Sequence, residues 1–421
     1  MIKKSYLLHT GALTLLLAAC STTPQSGKQE GVSCLNDESV TVVNLTNRTD
    51  SICLLSEIAD SIEYYLIHST DINDMDEVEL LPDYIWSNYR NDSVRGSLFS
   101  RTDGKLIKET NFSAFTKYDG LRPYCPPLNT LFPLKEKNTL INRTSKIKGL
   151  KRFWFSVSYN PLTETLTDDI AFPYDDGIAY FRLNESYLLK EHRIIGDDIH
   201  PCYKIDWYST SLDSIKQDIL PDTVFQTYIS WNQTKVHLLK DKIYFHMPTM
   251  KTIYEISPRH SPIPIYRYEV GTHNHPYKGI KDVAKYWKDE SEGLLSCYAI
   301  RSTIIAENYL FGGFNYKGFI HRVLFNRKTN QEWVIPTKST TDRRTLEGII
   351  NDLDGGLDFW PKKVSLNGEI YTWYNVEDLR KKVQQSVSKQ VKNPEATKRL
   401  KKMLNDLPKD VKVIVAVLKE K

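Results

Sequence analysis

Val411-Lys412-Val413-Ile414-Val415-Ala416-Val417-Leu418 ends the chain in an apolar run, and it follows a long stretch with helical spacing. β-Branched side chains dominate it, which suits a pleated, packed surface. A strand standing alone would leave its backbone donors and acceptors unpaired, so this one needs a sheet built from earlier residues. The expected partner is the last sheet of a repeating series, with Ser39 to Leu45 as a further strand of that sheet, so that the two chain ends pair. Before the strand, Leu379, Val383, Val387 and Val391 recur every four residues, and Asn393-Pro394 reads as the cap and first turn of a second helix. Residues 375–408 are therefore read as a helical insertion within the last sheet.

Upstream, short aromatic and β-branched segments alternate with turn residues. Examples are Tyr84-Ile85-Trp86, Phe153-Trp154-Phe155, Ile178 to Phe181, Ile243 to Phe245 and Ile370 to Trp373. Ser97 to Ile107 reads as strand, tight Asp103-Gly104 turn, strand, the chemistry of a two-residue hairpin. Lys251 to Val270 and Arg322 to Ile335 repeat the motif with longer turns. Such a meander recurs every ~40 to 60 residues, which points to radial repetition as the way of protecting sheet edges. Six candidate units lie near 60–110, 125–172, 175–210, 222–270, 295–336 and from 365 onward. The expected fold is all-β: a six-bladed β-propeller with a C-terminal helical excursion and a closing strand. A sandwich or two separate β domains is the alternative.

The first residues give an address. Lys3 and Lys4 precede a short apolar run ending in Leu17-Ala18-Ala19-Cys20. The run is too short to cross ~30 Å of hydrocarbon, and its flanks fit a secretory peptide. Leu-Ala-Ala-Cys resembles a lipobox, which makes Cys20 the expected lipid attachment site and residues 1–19 a cleaved lipoprotein signal. Residues 20–38 then read as a flexible tether and 39–421 as one domain. Ser21 after the lipidated cysteine disfavours inner-membrane retention, so the expected location is the outer membrane of the cell envelope, on either face. The other cysteines, Cys34, Cys53, Cys125, Cys202 and Cys297, are odd in number without CxxC spacing, and neither a disulfide framework nor a cysteine metal site is expected.

With 56 basic against 52 acidic residues, the chain lacks the field of a dedicated nucleic-acid binder. Its charge is nevertheless segregated: between Val376 and Leu404 nine basic residues face three acidic ones. That bias either leans on an anionic surface or belongs to a solvated helix face.

These residues together resemble the six-bladed β-propeller lipoproteins of Bacteroidetes, loosely related to NHL-repeat propellers. The resemblance is carried by Leu54 to Ile67, Phe99 to Ile107, Asp241 to Phe245, Thr252 to Ile256, Asn351 to Pro361 and Val413 to Lys419, in that order. Tyr118 to Tyr124 departs from the family's usual loop after the first hairpin. The family is largely without assigned chemistry, so the resemblance implies a fold more than a reaction.

Candidate ligand-binding residues are few. His273 and His275 could share one strand face, and Asp352 and Asp354 in Asp-Leu-Asp-Gly-Gly offer two carboxylates on a flexible backbone. Solvent-exposed loop histidines and ordinary turn formation are the competing readings. Glu307-Asn308 could serve an axial metal of the lactonase kind, while Gly312-Gly313 reads as a strand bend more than as a phosphate cradle. No GxSxG, Walker loop, HExxH or dinucleotide fingerprint occurs. The expected function is a non-catalytic, lipid-anchored binding or scaffold module for a glycan, peptide or protein partner, without cofactor, metal or nucleic acid. A hydrolase or lactonase-like enzyme with a site at the axial channel is the alternative.

Overall fold

A computed structural model of the chain describes residues 40–45, 53–68, 75–89, 95–111, 132–134, 139–148, 151–160, 162–163, 165–173, 178–183, 186–192, 199–200, 203–220, 224–225, 235–246, 250–270, 299–316, 319–336, 348–385 and 391–421. In chain order, β1 (Thr41–Asn44), helix α1 (Leu55–Ile58) and β2 (Ala59–His68) come first. A first meander follows in β3 (Met75–Leu80), β4 (Tyr84–Tyr89), β5 (Arg95–Ser100) and β6 (Leu106–Asn111). The second holds β7 (Phe132–Leu134), β8 (Thr139–Lys148), β9 (Lys151–Asn160) and β10 (Thr165–Pro173). The third holds β11 (Ile178–Arg182), β12 (Tyr187–His192), β14 (Tyr203–Ser209) and β15 (Ser214–Leu220), with a small side ribbon of β13 (Ile199–His200) and β16 (Val224–Phe225). The fourth is β17 (Lys235–Leu239), β18 (Lys242–His246), β19 (Thr252–Ser257) and β20 (His260–Glu269). The fifth is β21 (Ala299–Ile305), β22 (Tyr309–Tyr316), β23 (Phe319–Asn326) and β24 (Glu332–Pro336). Last come β25 (Lys363–Val364), β26 (Ile370–Asn375), helices α2 (Val376–Gln385) and α3 (Pro394–Asp406), and β27 (Val411–Glu420). The chain is thus mainly β, arranged in several antiparallel sheets.

The closing sheet is ordered β2-β27-β26-β25, with β27 antiparallel to β2 on one side and to β26 on the other. The chain's last strand therefore pairs with one near its beginning, as its composition demands. The head strand differs from the expected one. Thr41–Asn44 runs parallel to β20 as a fifth strand of the fourth sheet, while Ala59–His68 takes the edge of the closing sheet. Val43 and Leu45 explain the choice, since both are buried in the apolar seam between the fourth and fifth sheets. For the same reason the first meander begins at Met75, because 59–68 is spent elsewhere.

Apolar seams link neighbouring sheets. Ile67, Ile85, Phe99, Tyr371 and Val415 join the closing sheet to the first. Phe311, Leu324, Ile370 and Leu418 join the fifth to the closing sheet. Tyr244, Ile253, Leu310 and Val323 join fourth to fifth, and Leu189, Trp207, Phe245 and Tyr254 join third to fourth.

One turn scheme recurs. The amide of Leu81 donates to the Tyr84 carbonyl (2.9 Å), Leu183 to Tyr187 (3.0 Å) and Ala306 to Tyr309 (2.8 Å), closing the first turn of the first, third and fifth sheets. Each third strand then ends by donating to that turn: Arg101 to Asp83 (3.0 Å), Thr210 to Ser186 (3.1 Å), Arg327 to Asn308 (2.8 Å). The Asp103-Gly104 turn is longer than the two-residue hairpin expected. Four residues, Arg101 to Gly104, connect Ser100 to Lys105, and only Gly104 (φ 71°) is left-handed. Asn330 (φ 58°) takes the same place after Asn326. Residues tolerant of positive φ close both loops.

The two arginines opening these loops do parallel work. The Arg101 guanidinium lies 4.7 Å over the Tyr65 ring and makes a two-pronged pair with Glu369 (2.6 and 3.0 Å). Arg327 Nε donates to the Tyr266 hydroxyl at 2.6 Å, with the guanidinium 5.5 Å from that ring. Each reaches from its own sheet to the last strand of the neighbouring one.

Between β26 and β27, α2 carries Leu379 and Val383 of the four-residue spacing and ends at Gln385; Val387 lies outside the described residues and Val391 is not helical. The Asn393 side chain accepts from the Ala396 amide (3.1 Å), and Pro394 opens α3.

Candidate functional site

Asp352 and Asp354 lie in the segment 348–361, wedged between the fifth and closing sheets. Asn351 Oδ1 accepts from the amides of Leu353 (3.2 Å) and Asp354 (3.3 Å), folding a local turn that Gly355 (φ 74°) completes. The two carboxylates then serve different partners. Asp352 Oδ1 accepts from the Ser56 amide at 2.8 Å, at the start of α1. Asp354 accepts from Asn351 Nδ2 (2.7 Å), the Gly356 amide (3.0 Å) and the Tyr64 hydroxyl (2.9 Å). Burial raises the Asp354 carboxyl above its ordinary range, against these three donors. A methyl group on Gly356 would stand 3.0 Å from Asn351 Nδ2 and from the Tyr64 hydroxyl, so protein atoms fill this space. The cluster works as a joint that fixes the head of the chain to the segment before the last sheet.

The joint extends sideways. The Tyr374 hydroxyl donates to the Asp358 carbonyl (3.2 Å), and the Lys392 amide to the Asp352 carbonyl (2.7 Å). Arg322 lies 4.7 Å over Trp360, its guanidinium pushed down to about 10 by burial. At the chain end, Lys421 Nζ donates to the Ser56 carbonyl at 2.5 Å.

His273, His275 and Cys20 lie outside the described residues. Glu307 is an exposed turn residue paired with Lys240 at 2.5 Å. Gly312 and Gly313 are packing glycines. A methyl on the first would meet Val323 and the Tyr268 hydroxyl, and one on the second would meet Ser302 Oγ at 2.5 Å. Opposite them β21 carries a register shift between Ile300 and Ser302. Cys53 is a free, buried thiol pushed up by desolvation and by Glu57. Among the described residues no group of three or more His, Cys, Asp or Glu side chains could hold a metal.

Two polar groups had no signal in the sequence. His246 is fully buried, held neutral by desolvation that takes it down to about 4, and its Nε2 faces the Met250 carbonyl (3.1 Å). Glu420 ends β27 beside Glu307, and burial followed by that like charge pushes its carboxyl up to about 7. The acid form is the one the fold prefers, so stability falls as pH rises from 4.5 through 7. Glu420→Gln is expected to match the parent below pH 4.5 and to exceed it above pH 7 by about 1–2 kcal/mol, a figure reduced for the open rim of the site. Urea denaturation across that pH range measures the difference.

The strand directions define a more promising surface. In a four-stranded meander, turns one-to-two and three-to-four lie at one end, while the two-to-three link and the exit to the next sheet lie at the other. The first kind here are the short turns at Pro82, Lys240, Glu307, Arg101, Thr210 and Arg327. The second kind range from the two-residue links between β8 and β9 and between β22 and β23 to the α2–α3 excursion between β26 and β27. At the tight-turn end, the turns of separate sheets converge: a methyl on Gly368 of the closing sheet would lie 3.7 Å from Leu239 of the fourth, although the fifth sheet intervenes in the chain. The opposite end is the candidate functional surface.

Comparisons with known proteins agree with the fold. A family model described as a domain of unknown function (DUF4933) matches residues 212–385. No curated protein matches. Among solved structures, an exported protein of Bacteroides fragilis aligns over 90% of this chain and 100% of its own, with a TM-score of 0.56 at 12% identity. A DUF4221 family member of Bacteroides vulgatus covers 86% of this chain and 97% of its own, at TM-score 0.44 and 10% identity. The chain is thus similar in fold to an exported Bacteroides protein.

Proposed function

We propose that the chain is a lipid-anchored, six-bladed β-propeller of the bacterial envelope, acting as a non-catalytic binding or scaffold module for a glycan, peptide or protein. The ring reading rests on the seam order first, closing, fifth, fourth, third. The second sheet, between first and third in the chain, completes the circle. Cys20 carries the lipid, and the absence of a helix long and apolar enough to span a membrane among the described residues fits anchoring by lipid.

The observation that carries the binding reading is the inequality of the two ends. Short turns meet at one end, while the α2–α3 excursion rises from the other, the usual division between a scaffold and a recognition surface. The buried acidic joint does not compete for this role, because its donors and acceptors are consumed within the fold. Glycan and peptide arrays probed with the full chain, followed by hydrogen exchange of any complex, test this. The expected footprint covers strand ends near 246–251, 269–270 and 375 without turnover of the ligand. Protection confined to 101–105 and 327–330, or conversion of the ligand to product, contradicts it.

A further inference from the structure

The basic stretch noted in the sequence becomes a fixed surface in the fold. Arg380 of α2 donates through Nε (3.2 Å) and Nη2 (2.9 Å) to the Leu404 carbonyl, locking the two helices together. Leu400 and Leu404 of α3 pack with Val376, Leu379, Val383 and Ile414. The excursion is tied at both feet, by the Lys392 amide on the Asp352 carbonyl (2.7 Å) and by His68 with Asp410 (3.0 Å). The outward side of α3 therefore holds Lys398, Arg399, Lys402 and Asn405 in a fixed arrangement, flanked by Lys401.

The exposed Asp406 stands one turn after Lys402 and Glu395 also acts on Arg399, so carboxylates offset part of the charge and leave an excess of basic groups. Glu395 is engaged with Lys398 (2.7 Å), and Asp410 with His68. Lys401, Lys402, Lys409 and Lys412 have no carboxylate partner among the described residues. Apolar side chains are missing from the outward side of α3, so a greasy partner would gain nothing there. A plane of phosphates fits this row of basic side chains, as it would near an anionic leaflet.

We propose that the outward side of α3, with Lys409 and Lys412 at its exit, docks on an anionic lipid surface. Between lipid and acidic glycan, the lipid is favoured because the anchor at Cys20 keeps a bilayer at high effective concentration; this step rests on the lipoprotein reading. Docking turns the α2–α3 side of the recognition end toward the membrane.

The test uses the mature chain from residue 20 carrying Cys20→Ser, which has neither the apolar run of residues 7–19 nor an acylation site, so failure of the anchor assignment leaves its outcome unchanged. Phosphatidylcholine vesicles with and without phosphatidylglycerol are the probes. Co-sedimentation is expected with the anionic vesicles only, and release at 1 M salt, where screening acts within about 3 Å. Replacing Lys398, Arg399, Lys401 and Lys402 by Gln should weaken binding roughly 100-fold or more while leaving the melting temperature unchanged. Lys409→Gln with Lys412→Gln, outside the helix, should weaken it less and guards against a folding artefact. Equal binding to neutral vesicles, no loss in either variant, or retention on heparin without vesicle binding overturns the proposal.

Discussion

Removing Val411 to Lys421 is expected to leave no folded protein. The deleted strand lies between β2 and β26, and Val411, Val413, Ile414, Val415, Ala416, Val417 and Leu418 are all buried. Each branched apolar side chain contributes roughly 1.5–3 kcal/mol by burial, so the set amounts to on the order of 10 kcal/mol. That rivals the entire stability of a typical domain, about 5–15 kcal/mol. Deletion also exposes two open strand edges. Soluble yield, circular dichroism and limited proteolysis report the outcome. A point version, Val415→Asp, places an unpaired charge at a position with no exposure and should cost about 4 kcal/mol or more.

Gly104→Val should be nearly as damaging although it alters a turn. Gly104 has φ 71°, a region β-branched residues avoid, and a Cβ there would overlap the backbone carbonyl of Leu66. The His68 amide donates to the Gly104 carbonyl at 3.0 Å, so the turn of the first sheet is pressed against β2 of the closing sheet. Neither backbone can yield without opening the seam, and a loss of about 3 kcal/mol or more is expected. Gly368→Ala supplies the comparison. Its φ is 87°, but the nearest neighbour of an added methyl is Leu239 at 3.7 Å, so only backbone strain of about 1 kcal/mol applies. Chemical denaturation of both variants separates a steric seam from an ordinary turn.

Local chemistry made parts of the fold readable in advance. The apolar run at 411–418 required a sheet, the four-residue spacing after Asn375 required a helix, and Asn393-Pro394 marked where the second helix starts. Each of these depends on residues close in sequence. The destination of Thr41–Asn44 did not, because any free strand edge satisfies its backbone. The choice was made by the space for Val43 and Leu45 between the fourth and fifth sheets. The early strand at 59–68 could equally have opened the first meander, and only pairing with a strand some 350 residues later decides otherwise.

The acidic motif shows the same limit. Asp-Leu-Asp-Gly-Gly was visible as a turn with two carboxylates, whereas the use of those carboxylates is set by Ser56 and Tyr64, 296 and 290 residues away. Glu420 became a group with a carboxyl near 7 only once folding buried it and set Glu307 beside it. The paired arginines at Arg101 and Arg327 were within reach of sequence reading, since Ser-Arg-Thr-Asp-Gly and Asn-Arg-Lys-Thr-Asn share a spacing. That spacing carries a structural clamp, so it would have sharpened the repeat without revealing a ligand.

A crystal structure of the full chain, traced through residues 132–173, is the most direct check on the ring. The second sheet should bury one face against β3–β6 and the other against β11, β12, β14 and β15, leaving six sheets about one axis. A second sheet with a face open to solvent, or stacked as an outer layer on another sheet, would contradict the propeller and with it the assignment of a recognition end.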